Sequence, residues 1–134
     1  MSSCIFCEII EGHLPAFVIY EDEHYLAILD RFPIAKGHVL IIAKRHAPNI
    51  YSLSAEEAAN LMPLVQKIAS LLNSKLKPDG LNVLQNNGKA AGQVVDHFHL
   101  HLIPRYEGDN IVIKGAQTGQ TLEDLEELRN NLCL

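Results

Sequence analysis

The chain has 134 residues, 48% of them apolar, a formal charge of −5 and three cysteines. That is enough apolar material for one self-supporting core without a disulfide framework. Four acids, Glu123, Asp124, Glu126 and Glu127, cluster near the C-terminus; without them and Arg129 the balance is 12 acidic against 10 basic residues, which excludes broad nucleic-acid binding but not one small anion held by local donors.

Taken in chain order, Cys4 to Glu11 reads as one or two helical turns, closed by Gly12 and Pro15. The apolar start lacks a basic leader and is broken by Glu8 and Glu11, so no targeting segment is expected. Phe17–Tyr20 and Tyr25–Leu29 are β-prone runs around a polar Glu21-Asp22-Glu23, the pattern of a hairpin. After the Pro33 and Gly37 turn, Val39–Ala43 reads as a buried strand. No uninterrupted apolar run is longer than these five residues, far too short to cross a bilayer. The expectation is a soluble, cytoplasmic protein that does not engage a membrane.

Ser54 with Glu57 three residues later is a capping box, and Leu61, Val65, Ile68 and Leu72 follow at helical spacing. Pro63 inside that pattern lacks an amide hydrogen, so a kink or a local opening is expected there. Pro78 and Gly80 end the helix. Leu81–Gln85 and Phe98–Ile103 read as strands around a glycine-bearing loop, Asn86 to Gly92, and Leu122–Leu132 as a short acidic helix. Strands broken by one long helix give an α+β fold with an antiparallel sheet. The whole chain, 1–134, is expected to be a single domain, with a core over about residues 4–107 and a tail from 108.

The segment His97-Phe98-His99-Leu100-His101-Leu102-Ile103 carries the chemistry. Residues two apart on a strand share a face. The spacing therefore places three imidazoles in one row and Phe98, Leu100 and Leu102 under the helix. Three readings compete: an ordinary polar strand face, a three-histidine zinc site, and a histidine nucleophile that attacks phosphorus as neutral imidazole. Asn86, Asn87, Gly88, Gly92 and Gln93 just upstream bring small residues and amide donors, which suit an anion beside a nucleophile better than a bare metal.

Asn86 to Arg105, with Gly92-Gln93-Val94-Val95-Asp96 leading into the three histidines, resembles the signature of the histidine triad (HIT) superfamily. Asp30 through Lys36-Gly37-His38-Val39-Leu40-Ile41-Ile42 is similar to the same family. The resemblance implies the HIT-like fold: a five-stranded antiparallel sheet, one long helix packed on it and a short C-terminal helix. It implies that the middle histidine, His99, attacks the α-phosphorus of a nucleotide and carries a transient nucleotidyl group. His101 then contacts phosphate and the leaving-group side, and His38 orients the triad from behind. Asn86, Gly92 and Gln93 match phosphate-loop positions, Asp30 the carboxylate on the ribose hydroxyls, and Ile5, Phe6, Ile9 and Ile28 the base slot, each of which is equally readable as core. Some relatives carry Ser or Thr where this chain has Val94, a departure that touches leaving-group handling.

The resemblance also turns Cys4-Ile5-Phe6-Cys7 into a candidate structural zinc site completed by His46 and His97, with packed thiols as the plain alternative. Cys133 has no assigned role, and His13 and His24 read as ordinary surface residues. The implied function is a hydrolase or transferase acting on a nucleoside phosphoramidate or a dinucleoside polyphosphate, with an AMP or GMP derivative as partner, in a homodimer. A nucleotide-binding module with little turnover is the competing function.

Overall fold

The computed structural model describes residues 4–134. Helix α1 spans Ile5–Ile10, with Cys4 as its N-cap. Strands β1 (Val18–Glu21) and β2 (Tyr25–Leu29) form the expected hairpin, and β3 (Val39–Ala43) follows. Helix α2 spans Ala55–Leu76, β4 spans Gly80–Leu84, β5 spans His99–Arg105, and α3 spans Leu122–Leu132. All strand pairings are antiparallel, in the order β1-β2-β3-β5-β4. The α+β class and the five-stranded sheet expected from the sequence are what the chain forms.

Alternation along β2 and β3 divides the core in two. Tyr25, Ala27, Val39, Ile41 and Ala43 face one way, with Phe98, Leu100 and Leu102, against Leu64, Val65, Ile68 and Leu72 of α2. Leu26, Ile28, Leu40 and Ile42 face the other way and pack with Phe6 of α1. A strand covered on both faces has no polar side, which is why β3 reads as an unbroken apolar run. Pairing fixes the site as well. Leu40 stands opposite His101 and Ile42 opposite His99, so both imidazoles rise on the α1 face.

Helix α2 starts on the reciprocal cap expected: Ser54 Oγ accepts from the Glu57 amide at 3.0 Å, and Glu57 Oε1 accepts from the Ser54 amide at 2.8 Å. The helix runs as one unbroken segment through Pro63. Pro63 and Ala59, whose carbonyl lacks the usual donor, both lie on the exposed side, where water can serve that carbonyl. The α2–β3 region is locked by Arg45, whose Nε and Nη2 donate to the buried Glu57 carboxylate at 2.7–3.3 Å. The Arg45 hydrogen bonds lead in holding the Glu57 carboxyl down at about 2, against 4.5 for an unperturbed glutamate. A carboxyl depressed in the folded state adds stability above its unfolded pKa and loses it as pH falls through the folded one. Glu57→Gln is therefore expected to cost about 2 kcal/mol at pH 7, discounted because Arg45 is half exposed. Urea unfolding should show the gap between wild type and variant closing as pH drops from 4.5 toward 2.

One turn requires glycine. Gly37 has φ +88°, and a Cβ there would lie 2.3 Å from Leu76 Cδ1 and 3.3 Å from Pro104 Cγ. The backbone must pass this close to α2 to deliver His38 to the sheet.

Candidate functional site

On the α1 face, a cavity of about 770 Å³ opens over β2, β3 and β5. Of the residues expected to bind substrate, Ile5, Phe6, Ile9, Ile28 and Asp30 line it together with His99 and His101. Its apolar end is continued by residues that sequence reasoning did not single out, among them Leu14, Phe17, Arg31 and Phe32. Phe6 meets His99 edge-on, with ring centroids 4.9 Å apart. The volume falls in the range of small-molecule sites and the lining has the usual character, hydrocarbon with a few convergent polar groups.

The backbone sets the tautomer of His99. Its Nδ1 lies 2.7 Å from the His97 carbonyl oxygen, which can only accept, so Nδ1 carries the proton and Nε2 keeps its lone pair. A second chain of bonds fixes His101. The Ile34 amide donates to His38 Nδ1 at 3.3 Å, which leaves the proton on His38 Nε2. That nitrogen is 2.9 Å from His101 Nδ1 and 3.4 Å from Asp30 Oδ2. His101 thus accepts at Nδ1 and offers Nε2–H as a donor. The His99 and His101 rings stand 5.1 Å apart, so an electron pair and an N–H lie side by side. Burial lowers the His99 pKa, and burial followed by the neighbouring His99 and His38 brings His101 down to about 4. His38 is also lowered by burial, against the pull of Asp30. All three imidazoles are neutral at pH 7.

His97 meets Phe6 edge-on as His99 does, with ring centroids 5.8 Å apart, and sits with Cys4, Cys7 and His46 as the resemblance implied. It precedes β5, and its ring is fully buried and does not line the cavity. Its Nε2–H donates to the Ala43 carbonyl at 2.5 Å, so the Nδ1 lone pair points at Cys4 Sγ (3.3 Å), Cys7 Sγ (3.5 Å) and His46 Nδ1 (3.1 Å). Cys7 Sγ is 3.2 Å from His46 Nδ1, and the four donor atoms all lie within 4.8 Å of one another. A tetrahedral zinc with Zn–N and Zn–S bonds of ordinary length spaces its ligands by roughly 3.3–3.8 Å. Two cysteine sulfurs and two imidazole nitrogens crowded at these separations fit such an ion. The hydrogen bond from His97 to Ala43 is the partner that orients a metal-ligating imidazole.

The loop residues behave differently from the cavity wall. Gln93 is buried, with Oε1 accepting from the Gly88 amide at 2.7 Å and Nε2 donating to the Pro48 and Val95 carbonyls at 2.6 and 3.1 Å. Asn86 reaches the Gly92 carbonyl at 3.5 Å. Gly92 sits at φ +90° and ends the turn Lys89–Ala91. None of the three lines the cavity; they hold the loop that presents Val94, 91% exposed at the cavity edge. No helix among the described residues is long and apolar enough to cross a membrane.

The HIT domain family model matches residues 11–108. An adenosine 5'-monophosphoramidase of Schizosaccharomyces pombe is 46% identical over 103 residues, covering 77% of this chain and 74% of its own. A HIT family protein from Bacillus anthracis superposes with a TM-score of 0.88 at 43% identity, over 98% of this chain and 95% of that one. A zinc-bound histidine triad family protein from Mycobacterium smegmatis gives 0.77 at 40% identity, over 96% and 91%. With the paired imidazoles on β5, the sheet order and the matched span in agreement, this chain belongs to the HIT domain family.

Proposed function

We propose that the protein is a nucleotide hydrolase whose His99 takes the nucleotidyl group from a nucleoside phosphoramidate or a dinucleoside polyphosphate. The observation that carries this reading is the hydrogen bond from His99 Nδ1 to the His97 carbonyl, which leaves Nε2 as a lone pair at the cavity. The name of the fission-yeast relative, an adenosine 5'-monophosphoramidase, supports the same chemistry. The base lies in the slot of Ile5, Phe6, Ile9 and Ile28, and Asp30 faces the ribose hydroxyls. Nε2 attacks the α-phosphorus, and the bond from phosphorus to the leaving nitrogen or oxygen breaks. His101 Nε2–H hydrogen-bonds the departing atom and orients it, and the proton that the leaving group takes up comes from solvent water. The phosphoimidazolium that remains keeps its Nδ1–H on the His97 carbonyl, where the oxygen dipole meets the new positive charge. Water then attacks phosphorus and gives a proton back to solvent, the N–P bond breaks with its electron pair returning to Nε2, and neutral His99 returns with a nucleoside monophosphate released.

Cys4, Cys7, His46 and His97 are proposed to hold a structural zinc. When bound, it supplies a cross-link between α1 and the segment entering β5, and no reaction step runs through it. The unpaired outer edge of β4, with Val83 half exposed, supports the homodimer expected from the family. Acid-free quenching of a turnover mixture, followed by mass spectrometry of peptides, tests the central step. One nucleotidyl adduct on His99 is expected. Product release with the adduct on another residue, or with none at any time point, would overturn it.

A further inference from the structure

Of the side chains along the cavity, only those of Asp30, Arg31, His99 and His101 carry polar atoms. The imidazoles belong to the phosphate end. The Asp30 carboxylate is engaged by the Phe32 amide at 2.9 Å and by His38. Arg31 differs from all of them. It sits at the apex of the turn that Asp30 closes, and its guanidinium carbon lies 5.9 Å from the centroid of the Phe32 ring. That ring is itself 80% exposed. No hydrogen bond or ion pair joins Arg31 to any other described residue. Five N–H donors in a rigid fork are therefore steadied on an aromatic face and otherwise unused, on the wall of a slot built from hydrocarbon.

Resting on the hydrolase reading above, we propose that Arg31 reads the base and biases the site toward a 6-oxopurine, guanine or hypoxanthine, over adenine. The fork matches O6 and N7, two acceptors side by side, whereas adenine presents an amino donor at position 6 and sets donor against donor. Phosphate is the other ligand such a fork takes. Its position argues against that here. Arg31 continues the wall of Leu29 and Phe17, which are joined by a 3.0 Å bond from the Leu29 amide to the Phe17 carbonyl. An anion lodged against those side chains would lose hydration in return for one exposed cation. A flat base loses little there and gains stacking.

The test compares guanosine, inosine and adenosine 5'-phosphoramidates on the purified protein. Wild type is expected to favour guanosine and inosine by roughly five- to tenfold in kcat/KM. Arg31→Ala should bring the three together, chiefly by weakening the 6-oxopurines, and Arg31→Lys should fall between. A wild-type ratio of one or below overturns the proposal. So does an equal loss on all three substrates in Arg31→Ala, which would place the guanidinium on phosphate. Should no substrate turn over, the hydrolase reading fails by itself, and calorimetry with GMP, IMP, AMP and 7-deaza-GMP still decides this one. Tighter GMP and IMP, with 7-deaza-GMP near AMP and the preference lost in Arg31→Ala, supports it. Equal affinities end it.

Discussion

His99→Ala is expected to lower kcat on an adenosine phosphoramidate by at least about 10⁴-fold while leaving the affinity for AMP within a few-fold of wild type. The split follows from where the side chain acts. Binding is distributed over the apolar slot, Asp30 and the strand ends, so losing one imidazole at the cavity floor removes little of it. The attacking electron pair has no substitute. His101 is the only other imidazole lining the cavity among the described residues, and its Nδ1 is taken by His38 while its Nε2 carries the proton. It cannot attack without first giving that proton up. His99→Asn and His101→Ala sharpen the comparison. The first keeps a polar group of similar reach but no nucleophile and should be as inactive as the alanine variant. The second keeps the nucleophile and loses the leaving-group donor, so it should retain residual turnover, with the deficit smallest for substrates whose leaving group needs no help. A His99→Ala protein that still releases AMP at a tenth of the wild-type rate would place the nucleophile elsewhere. Equal loss of affinity and rate would make His99 a binding group.

Short-range signals carried most of the architecture. Ser54 and Glu57 cap each other across three residues, so the start of α2 was readable from spacing alone, as was the hairpin around Glu21-Asp22-Glu23. The His99 and His101 face also followed from a period of two. What local spacing could not show were partners brought in from far along the chain; the family resemblance alone set His97 with Cys4, Cys7 and His46. Spacing alone makes His97 equivalent to His99, whereas the Ala43 carbonyl and the Cys4 and Cys7 sulfurs, more than 50 and about 90 positions away, take both of its nitrogens. The period of two sees none of them. Gln93 looked like a phosphate ligand because an amide after a glycine suits one, yet the Pro48 carbonyl 45 residues earlier claims its donor. Phe17 was legible only as the start of a β-prone run, and Arg31 and Phe32 gave no signal at all. They are exposed residues at turns and strand ends, and only the closing of the slot by α1 makes them a wall.

Protein purified without chelators should contain about one zinc per chain by elemental analysis, and stripping it should lower Tm by roughly 10 °C or more. The size follows from what the four ligands join. Cys4 and Cys7 flank the first turn of a six-residue helix that cannot stand alone, since so short a helix has too few hydrogen bonds to repay its ordering. His46 follows β3, and His97 leads into β5. An ion at their centre ties the helix that carries Ile5, Phe6 and Ile9 to the two strands beneath the cavity, so its loss should loosen the base slot more than the imidazoles. Activity of the stripped protein is therefore expected to fall mainly through a higher KM, with kcat falling less. Cys7→Ser should lose the metal and reproduce the lower Tm, whereas His101→Ala should keep one zinc per chain. A metal shared by the three histidines of the β5 segment predicts the reverse for both variants. That arrangement would require the His97 ring to turn away from Ala43 and would leave a buried carbonyl without its donor, which is why the thiolate site is the one the hydrogen bonding favours.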